Sequence, residues 1–271
     1  MLDFSDIALF GVLGITAGTL AGMLGIGGGM VIVPGLFYLF SVMGLPEESL
    51  MHMAAGTAMC IMLFTSTAST WSHHAKGDVQ WSLFKQVVPA IGVGVILGNS
   101  LSNRLNTHWL EIVFGLFLMV VAVKILLAWL PSFGGTETPR HSTTTLIGSL
   151  IGFKSGILGI GGGAISVPFL LYCGLPMKAA SGTSAAFTFP IAVVGTLAFT
   201  LFSPTYPQIE WSTGYLYWPA IALVAPFTML GAPIGTLLSH RIPAERLRRI
   251  FALLLVFIGV RMLSGSLRYL V

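Results

Sequence analysis

Residues 22–34 read GMLGIGGGMVIVP, and residues 156–168 read GILGIGGGAISVP. Nine of the thirteen positions are identical, far above what two unrelated apolar stretches share. The echo continues downstream in both halves. Leu45-Pro46 recurs as Leu175-Pro176, Gly56-Thr57-Ala58 as Gly182-Thr183-Ser184, and Trp81-Ser82 as Trp211-Ser212. Gly94, Gly98, Leu101, Ser102 and Arg104 recur as Gly231, Gly235, Leu238, Ser239 and Arg241. The chain reads as an internal duplication: an N-terminal repeat over 1–130, a polar linker over 131–142 and a C-terminal repeat over 143–271.

The solvent of this duplication follows from its composition. Only 8% of the 271 residues are Asp, Glu, Lys or Arg, 55% are apolar, and mean hydropathy is +0.90. A soluble domain carries about a quarter charged residues, and those are the side chains that stay in water. Disorder is excluded because a disordered chain is poor in apolar residues. Two cysteines, Cys60 and Cys173, both within apolar runs, do not make a disulfide scaffold. A polytopic membrane protein remains. Its net charge of +4 and pI near 9.3 fit Lys and Arg placed in cytoplasmic loops rather than a nucleic-acid surface. Asp3 and Asp6 replace the positive start of a secretory signal, so the first apolar stretch is expected to be retained.

A helix crosses the bilayer core with about 20 apolar residues. Segments of that kind fall at 7–24, 29–43, 50–72, 81–103 and 108–130, then at 143–159, 163–174, 178–203, 214–239 and 247–270. The second segment of each half is short. If the Gly-rich turn merely interrupts one crossing, each half has four crossings and the halves are parallel. If it reverses the chain, each half is a helical hairpin plus three full helices, and the halves are inverted. The distribution of positive charge separates the two. The parallel reading splits the basic residues almost evenly between the two sides. The inverted reading gathers Lys76, Lys85, Lys124, Arg140, Lys178, Arg241, Arg246, Arg248 and Arg249 on one side, with Arg104 and Arg268 on the other. The expected fold is thus an all-α polytopic membrane protein of two inverted repeats, with 8–10 helical segments and both termini outside.

Consecutive glycines cost a helix about 0.8–1.0 kcal/mol each relative to alanine, so five residues of GIGGG at membrane depth need a reason. Non-helical backbone is tolerated there only against protein or a wet cavity. The short segments reach about 18–22 Å at 1.5 Å per residue, less than the roughly 30 Å core. The two hairpin tips are therefore expected inside the membrane, one from each side. The helices that start at Gly29 and Gly163 would then aim N–H groups and the positive end of their dipole at the protein interior, an anion site. Gly25, Gly27, Gly28 and Gly29 in the first tip, and Gly159, Gly161, Gly162 and Gly163 in the second, are the candidate binding residues. Close helix packing is the competing use of such glycines, and it is the expected use for Gly94/Gly98 and Gly231/Gly235.

Lys154 lies mid-segment, five residues before Gly159, where the first half has Leu20. An intramembrane lysine is costly and marks a functional site by default. It is expected as counter-charge to the anion, with snorkelling toward an interface as the alternative. Thr57, Thr183 and Ser184 could present hydroxyls to an oxyanion or simply bond helix to helix. His52 reads as exposed or structural, and His73-His74 lack the neighbours a metal needs. All nine acidic residues fall near loops or segment ends, so a carboxylate proton relay is unavailable. No GxxxxGK[ST], HExxH or GxSxG occurs, which speaks against ATP-driven transport and against an enzyme.

The twin GxxGIGGGxxxxP motifs, each followed by Leu-Pro and a Gly-Thr helix start, resemble the sulfite exporter TauE/SafE family of membrane transporters over essentially the whole chain. The resemblance implies movement of small sulfur-containing anions such as sulfite, sulfoacetate or thiosulfate across a bacterial-type cytoplasmic (inner) membrane. No cofactor is expected. Members are described with about eight predicted helices, fewer than the ten segments here unless the short ones are not counted as spans. The expected function is secondary transport of such an anion by alternating access. A passive anion channel, and a non-transport membrane protein, are the alternatives. The expected partners are the small anion and the lipid bilayer, with no nucleic acid, and a homodimer is left open.

Overall fold

A computed structural model describes residues 4–24, 27–127, 140–203, 209–238 and 244–267. Among these residues the chain forms ten α-helices: α1 Phe4–Leu24, α2 Gly29–Val42, α3 Leu50–His74, α4 Trp81–Ser102, α5 Thr107–Leu126, α6 His141–Leu158, α7 Gly163–Tyr172, α8 Met177–Leu201, α9 Trp218–Leu238 and α10 Ala244–Leu267. Each expected segment is occupied by a helix. Five of them, α3, α4, α5, α8 and α9, are long and apolar enough to cross a membrane by length and composition. Most of the expected linker lies outside the described residues, and α6 already starts at His141.

The repeated Leu-Pro has a local cause. Gly44 and Gly174 follow α2 and α7 in the left-handed region, with φ of 72° and 82°. The Leu45 and Leu175 N–H groups then bond back to Phe40 O and Leu170 O, both at 3.1 Å. This closes each short helix in a Schellman-type turn. Pro46 and Pro176 follow, where a missing N–H costs nothing and the next helical element begins.

Glycines decide which helices pair. Gly14, Gly18 and Gly22 of α1 lie against the α9 backbone at Val224, Thr228 and Ala232, while Gly231 and Gly235 of α9 lie against Ile15 and Thr19 of α1. Gly148, Gly152 and Gly156 of α6 face Val87, Ile91 and Val95 of α4, and Gly94 and Gly98 of α4 face Ser149 and Phe153 of α6. Glycines four residues apart form a groove that admits a neighbouring backbone. The register shows that α1 runs parallel to α9, and α4 parallel to α6. The other two major pairs run the opposite way. Gly56 of α3 meets Phe199 of α8 while Gly195 of α8 meets Met59 of α3, and Gly115 of α5 meets Leu263 and Gly259 of α10. So α3 is antiparallel to α8, and α5 to α10. Every residue of α3 from Leu50 to Met62 is buried, and α3 with α8 forms the centre.

The recurring Gly-Thr is a latch. Gly56 would bring a Cβ to 2.9 Å from Tyr215 O, so only glycine lets that chain approach. The Thr57 hydroxyl then accepts from Tyr217 N at 3.1 Å and donates to Tyr215 O at 3.4 Å. In the other half Gly182 lies against Asp78 O, and Thr183 Oγ1 accepts from Gln80 N at 2.9 Å. Each latch holds the segment that leads into α9 or α4.

One element departs from an all-helical reading. Ser212–Thr213 and Leu216–Tyr217 pair as a two-stranded antiparallel ribbon, entered through Trp211 at φ 63° and turned at Gly214 at φ 59°. Helix α9 therefore starts at Trp218 rather than at 214. The ribbon is too short for a period-2 pattern to show.

The outer surface suits a bilayer. Leu97, Leu116, Val120, Leu237, Leu253 and Phe257 are exposed. Exposed tryptophans mark the helix ends: Trp71 and Trp81 at one end of the bundle, and Trp109, Trp211 and Trp218 at the other. Trp is enriched at both membrane interfaces. Lys76, Lys85, Lys124, Arg140, Lys178 and Arg249 collect at the Trp71 end, whereas Arg104 lies at the opposite one.

Gly152→Val should push α6 off the Ile91 carbonyl and lower stability by about 1–3 kcal/mol, the usual cost of overpacking. Gly92→Ala, inside α4 in a place with nothing within 4 Å, should hold or raise the melting temperature in detergent, since alanine is favoured over glycine in a helix by about 0.8–1.0 kcal/mol. Thr57→Val should leave the Tyr217 N–H unpaired and cost about 1–3 kcal/mol in the same assay.

Candidate functional site

The two Gly-rich turns lie in the interior and touch each other. A Cβ on Gly29, the first residue of α2, would lie 2.8 Å from Ile160 Cα, 2.9 Å from Met62 Sδ and 3.2 Å from Gly161 N. Met62 is midway along α3. A Cβ on Gly162 would meet Ile151 Cγ2 at 2.9 Å and Ile191 Cδ1 at 3.1 Å, and Ile191 is near the middle of α8. Both tips thus sit at mid-depth of the central helices. The second tip also seats Gly159 on Ala55 of α3, and the first seats Gly27 on Thr188 of α8, where a Cβ on Gly27 would lie 2.7 Å from Thr188 Cγ2.

The same five-residue turn adopts two conformations. In the first tip Gly27 and Gly28 both have positive φ, 76° and 73°. In the second, Gly159 takes the left-handed region at φ 68°, while Gly162 is right-handed at φ −68°. Gly25 lies outside the described residues.

Both short helices begin without a side-chain cap or an acidic residue in the first turn. In α2 the Val31 and Ile32 N–H groups bond to Gly28 O, each at 3.0 Å; in α7 Ile165 and Ser166 bond to Gly162 O at 3.1 and 3.0 Å. The N–H groups of Gly29 and Met30, and of Gly163 and Ala164, precede those first intrahelical donors. A helix start leaves such N–H groups without an intrahelical acceptor, and with the dipole they favour negative charge.

Lys154 reaches the second tip. Its Nζ donates to Gly161 O at 2.8 Å and stands 5.2 Å from the Phe117 ring centroid of α5. An ammonium has three donor hydrogens, so this bond ties the cation to the turn and leaves further hydrogens. Of the expected hydroxyls, Thr57 and Thr183 are engaged in the latches rather than at the tips. Ser184 Oγ lies 2.7 Å from Ser166 Oγ, one turn into α7. Ser166 was not singled out by the sequence. Its signal is the substitution of a polar residue for Ile32 within the repeated motif.

His52 is buried and structural: its Nε2 lies 3.0 Å from Ser102 O, and its ring stacks on Tyr215 with centroids 4.9 Å apart. His73 Nδ1 lies 3.6 Å from Asp78 Oδ2. Among the described residues no group of three His, Cys, Asp or Glu could hold a metal ion.

The profile of the sulfite exporter TauE/SafE family matches residues 10–262. A probable membrane transporter protein of Haemophilus influenzae is 32% identical over 260 residues, covering 96% of this chain and 98% of that one. A probable membrane transporter protein of Methanocaldococcus jannaschii is 26% identical, with 97% and 98% covered, and the one named YunE in Bacillus subtilis is 24% identical, with 93% and 95% covered. No solved structure matches. With buried Gly-rich helix breaks and a family match that spans nearly every helix, the chain belongs to the sulfite exporter TauE/SafE family of membrane transporter proteins.

Proposed function

We propose that this protein is a secondary transporter that moves a small sulfur-containing anion, of the sulfite, sulfoacetate or thiosulfate class, across the cytoplasmic membrane by alternating access. The observation that carries the proposal is the mid-depth meeting of two uncapped helix N-termini beside the Lys154 ammonium. Orphan N–H groups and a cation in low dielectric attract an anion and repel cations. Repeat-built transporters place substrate at such broken helices.

The halves are read as inverted repeats. Mates of a two-fold lying across the helices must run antiparallel, and α3 with α8, and α5 with α10, support that axis. The gathering of basic residues at the Trp71 end supports a cytoplasmic location for that end. The moving bodies are then not the sequence halves. Helix α1 is seated by glycine on α9 of the other half, and α6 on α4. Rocking would carry α1 with α9 against α4 with α6, while the tips between them open to one side and then the other.

An epitope at each terminus should be reached from outside intact cells; a cytoplasmic N-terminus would sink the inverted reading. In proteoliposomes, labelled sulfite or thiosulfate should enter in saturable fashion and be displaced by its congeners, whereas single-channel currents would make the protein a passive channel. Lys154→Met should lower that flux at least about tenfold, the loss of one hydrogen bond to a charged group, with unchanged elution volume. Undiminished flux would remove the lysine from the site.

A further inference from the structure

Alternating access needs one removable barrier on each side of the substrate. One short strap of connecting chain lies on each side of the hairpin tips. Residues 215–217 lie on Gly56 of α3, and residues 78–80 lie on Gly182 of α8. Both glycines are near the start of their helix. Helices α3 and α8 are antiparallel, so the first strap is at the Arg104 end and the second at the basic end.

The depths match. The first tip touches Met62 of α3 and Thr188 of α8. Each lies beyond its glycine by the same number of residues, about 9 Å at 1.5 Å per residue. The tips are therefore between the straps and equally far from both. The second tip also sits on Ala55, the chain neighbour of Gly56.

Each strap is held by contacts that can be undone. Thr57 Oγ1 accepts from Tyr217 N at 3.1 Å, and Thr183 Oγ1 from Gln80 N at 2.9 Å. Rings seal the first strap: Tyr215 stacks on His52 with centroids 4.9 Å apart, and Tyr217 meets Phe40 of α2 edge-on at 5.5 Å. In the second strap Val79 is buried, and Asp78 Oδ2 lies 3.6 Å from His73 Nδ1 of α3. The first strap runs directly into α9 and the second into α4. Each is thus clasped to a central helix and continuous with one of the rocking bodies.

We propose that residues 215–217 are the outer gate and residues 78–80 the inner gate of the transport path. Movement of α9 withdraws the first from Thr57, and movement of α4 withdraws the second from Thr183. This rests on the transport reading above and adds its two barriers.

The test is labelling of a buried cysteine by a membrane-impermeant maleimide, in membrane vesicles of each orientation. Cys60 is free, buried and one turn beyond Gly56 on the same face of α3. Ala186, also buried, is one turn beyond Gly182 on α8. Cys173→Ser removes the second thiol. In that background Thr57→Val should speed Cys60 labelling from the Arg104 side at least about fivefold, the lower cost of an unpaired N–H. Labelling from the basic side should not change, and Thr183→Val should leave Cys60 as it was. With Cys60→Ser and Ala186→Cys the pattern should reverse: Thr183→Val speeds labelling from the basic side and Thr57→Val does nothing. Thr57→Ser keeps the hydroxyl and should label like its parent. Gly56→Ala and Gly182→Ala displace a strap while favouring the helix, and should reproduce the two results where a valine variant fails to elute as folded protein. Labelling that rises from both sides, or from neither, in folded variants overturns the gates; retained flux of labelled sulfite in the same vesicles leaves the transport reading standing. Side-specific labelling without flux of sulfite, thiosulfate or sulfoacetate supports the gates and overturns that substrate class.

Discussion

The whole architecture depends on one contact, the meeting of Gly29 with Ile160 and Gly161 at mid-depth. Backbone that leaves a helix inside a bilayer must be covered by protein or line a wet cavity. Here each hairpin tip covers the other, so neither break is stable alone. A side chain at Gly29 would separate them. Once the tips must touch, the short helices α2 and α7 can reach only partway, and the long helices α3 and α8 must enclose the pair. The Gly-seated contacts of α1 on α9 and of α6 on α4 then hold each hairpin at the depth the contact requires.

Much of this was readable from residue types because the bilayer simplifies the code. Apolar runs with Gly and Pro at their ends located all ten helices, and the duplicated GIGGG located both breaks. The packing role expected for Gly94, Gly98, Gly231 and Gly235 is where the structure puts them. What escaped was set by tertiary partners. For Thr57 and Thr183 the residue types left two uses open, an oxyanion or a helix-to-helix bond, and only the fold shows that each hydroxyl accepts from a chain segment more than a hundred residues away. The ribbon at 212–217 depends on left-handed backbone at Trp211, before its first strand, and at Gly214, in its turn, which hydropathy does not register.

Symmetry of sequence did not become symmetry of chemistry. The two tips share GIGGG, yet Gly28 and Gly162 have φ of opposite sign. Polar groups are concentrated on the second tip: Lys154 stands where the first half has Leu20, Ser166 where it has Ile32, and Ser184 where it has Ala58. The first tip supplies helix N–H groups and no charged side chain, with Thr188 of α8 beside Gly27. On the proposed reading, an anion held by Lys154 and the start of α7 belongs to the hairpin seated on α4. The first hairpin, seated on α9, closes over it. One body then carries the charge while the other carries a neutral wall. A charge bound to both bodies with equal strength would resist their separation in either direction. Placing the only full countercharge on one tip avoids that, because the other tip offers N–H groups alone and can withdraw without parting an ion pair in low dielectric.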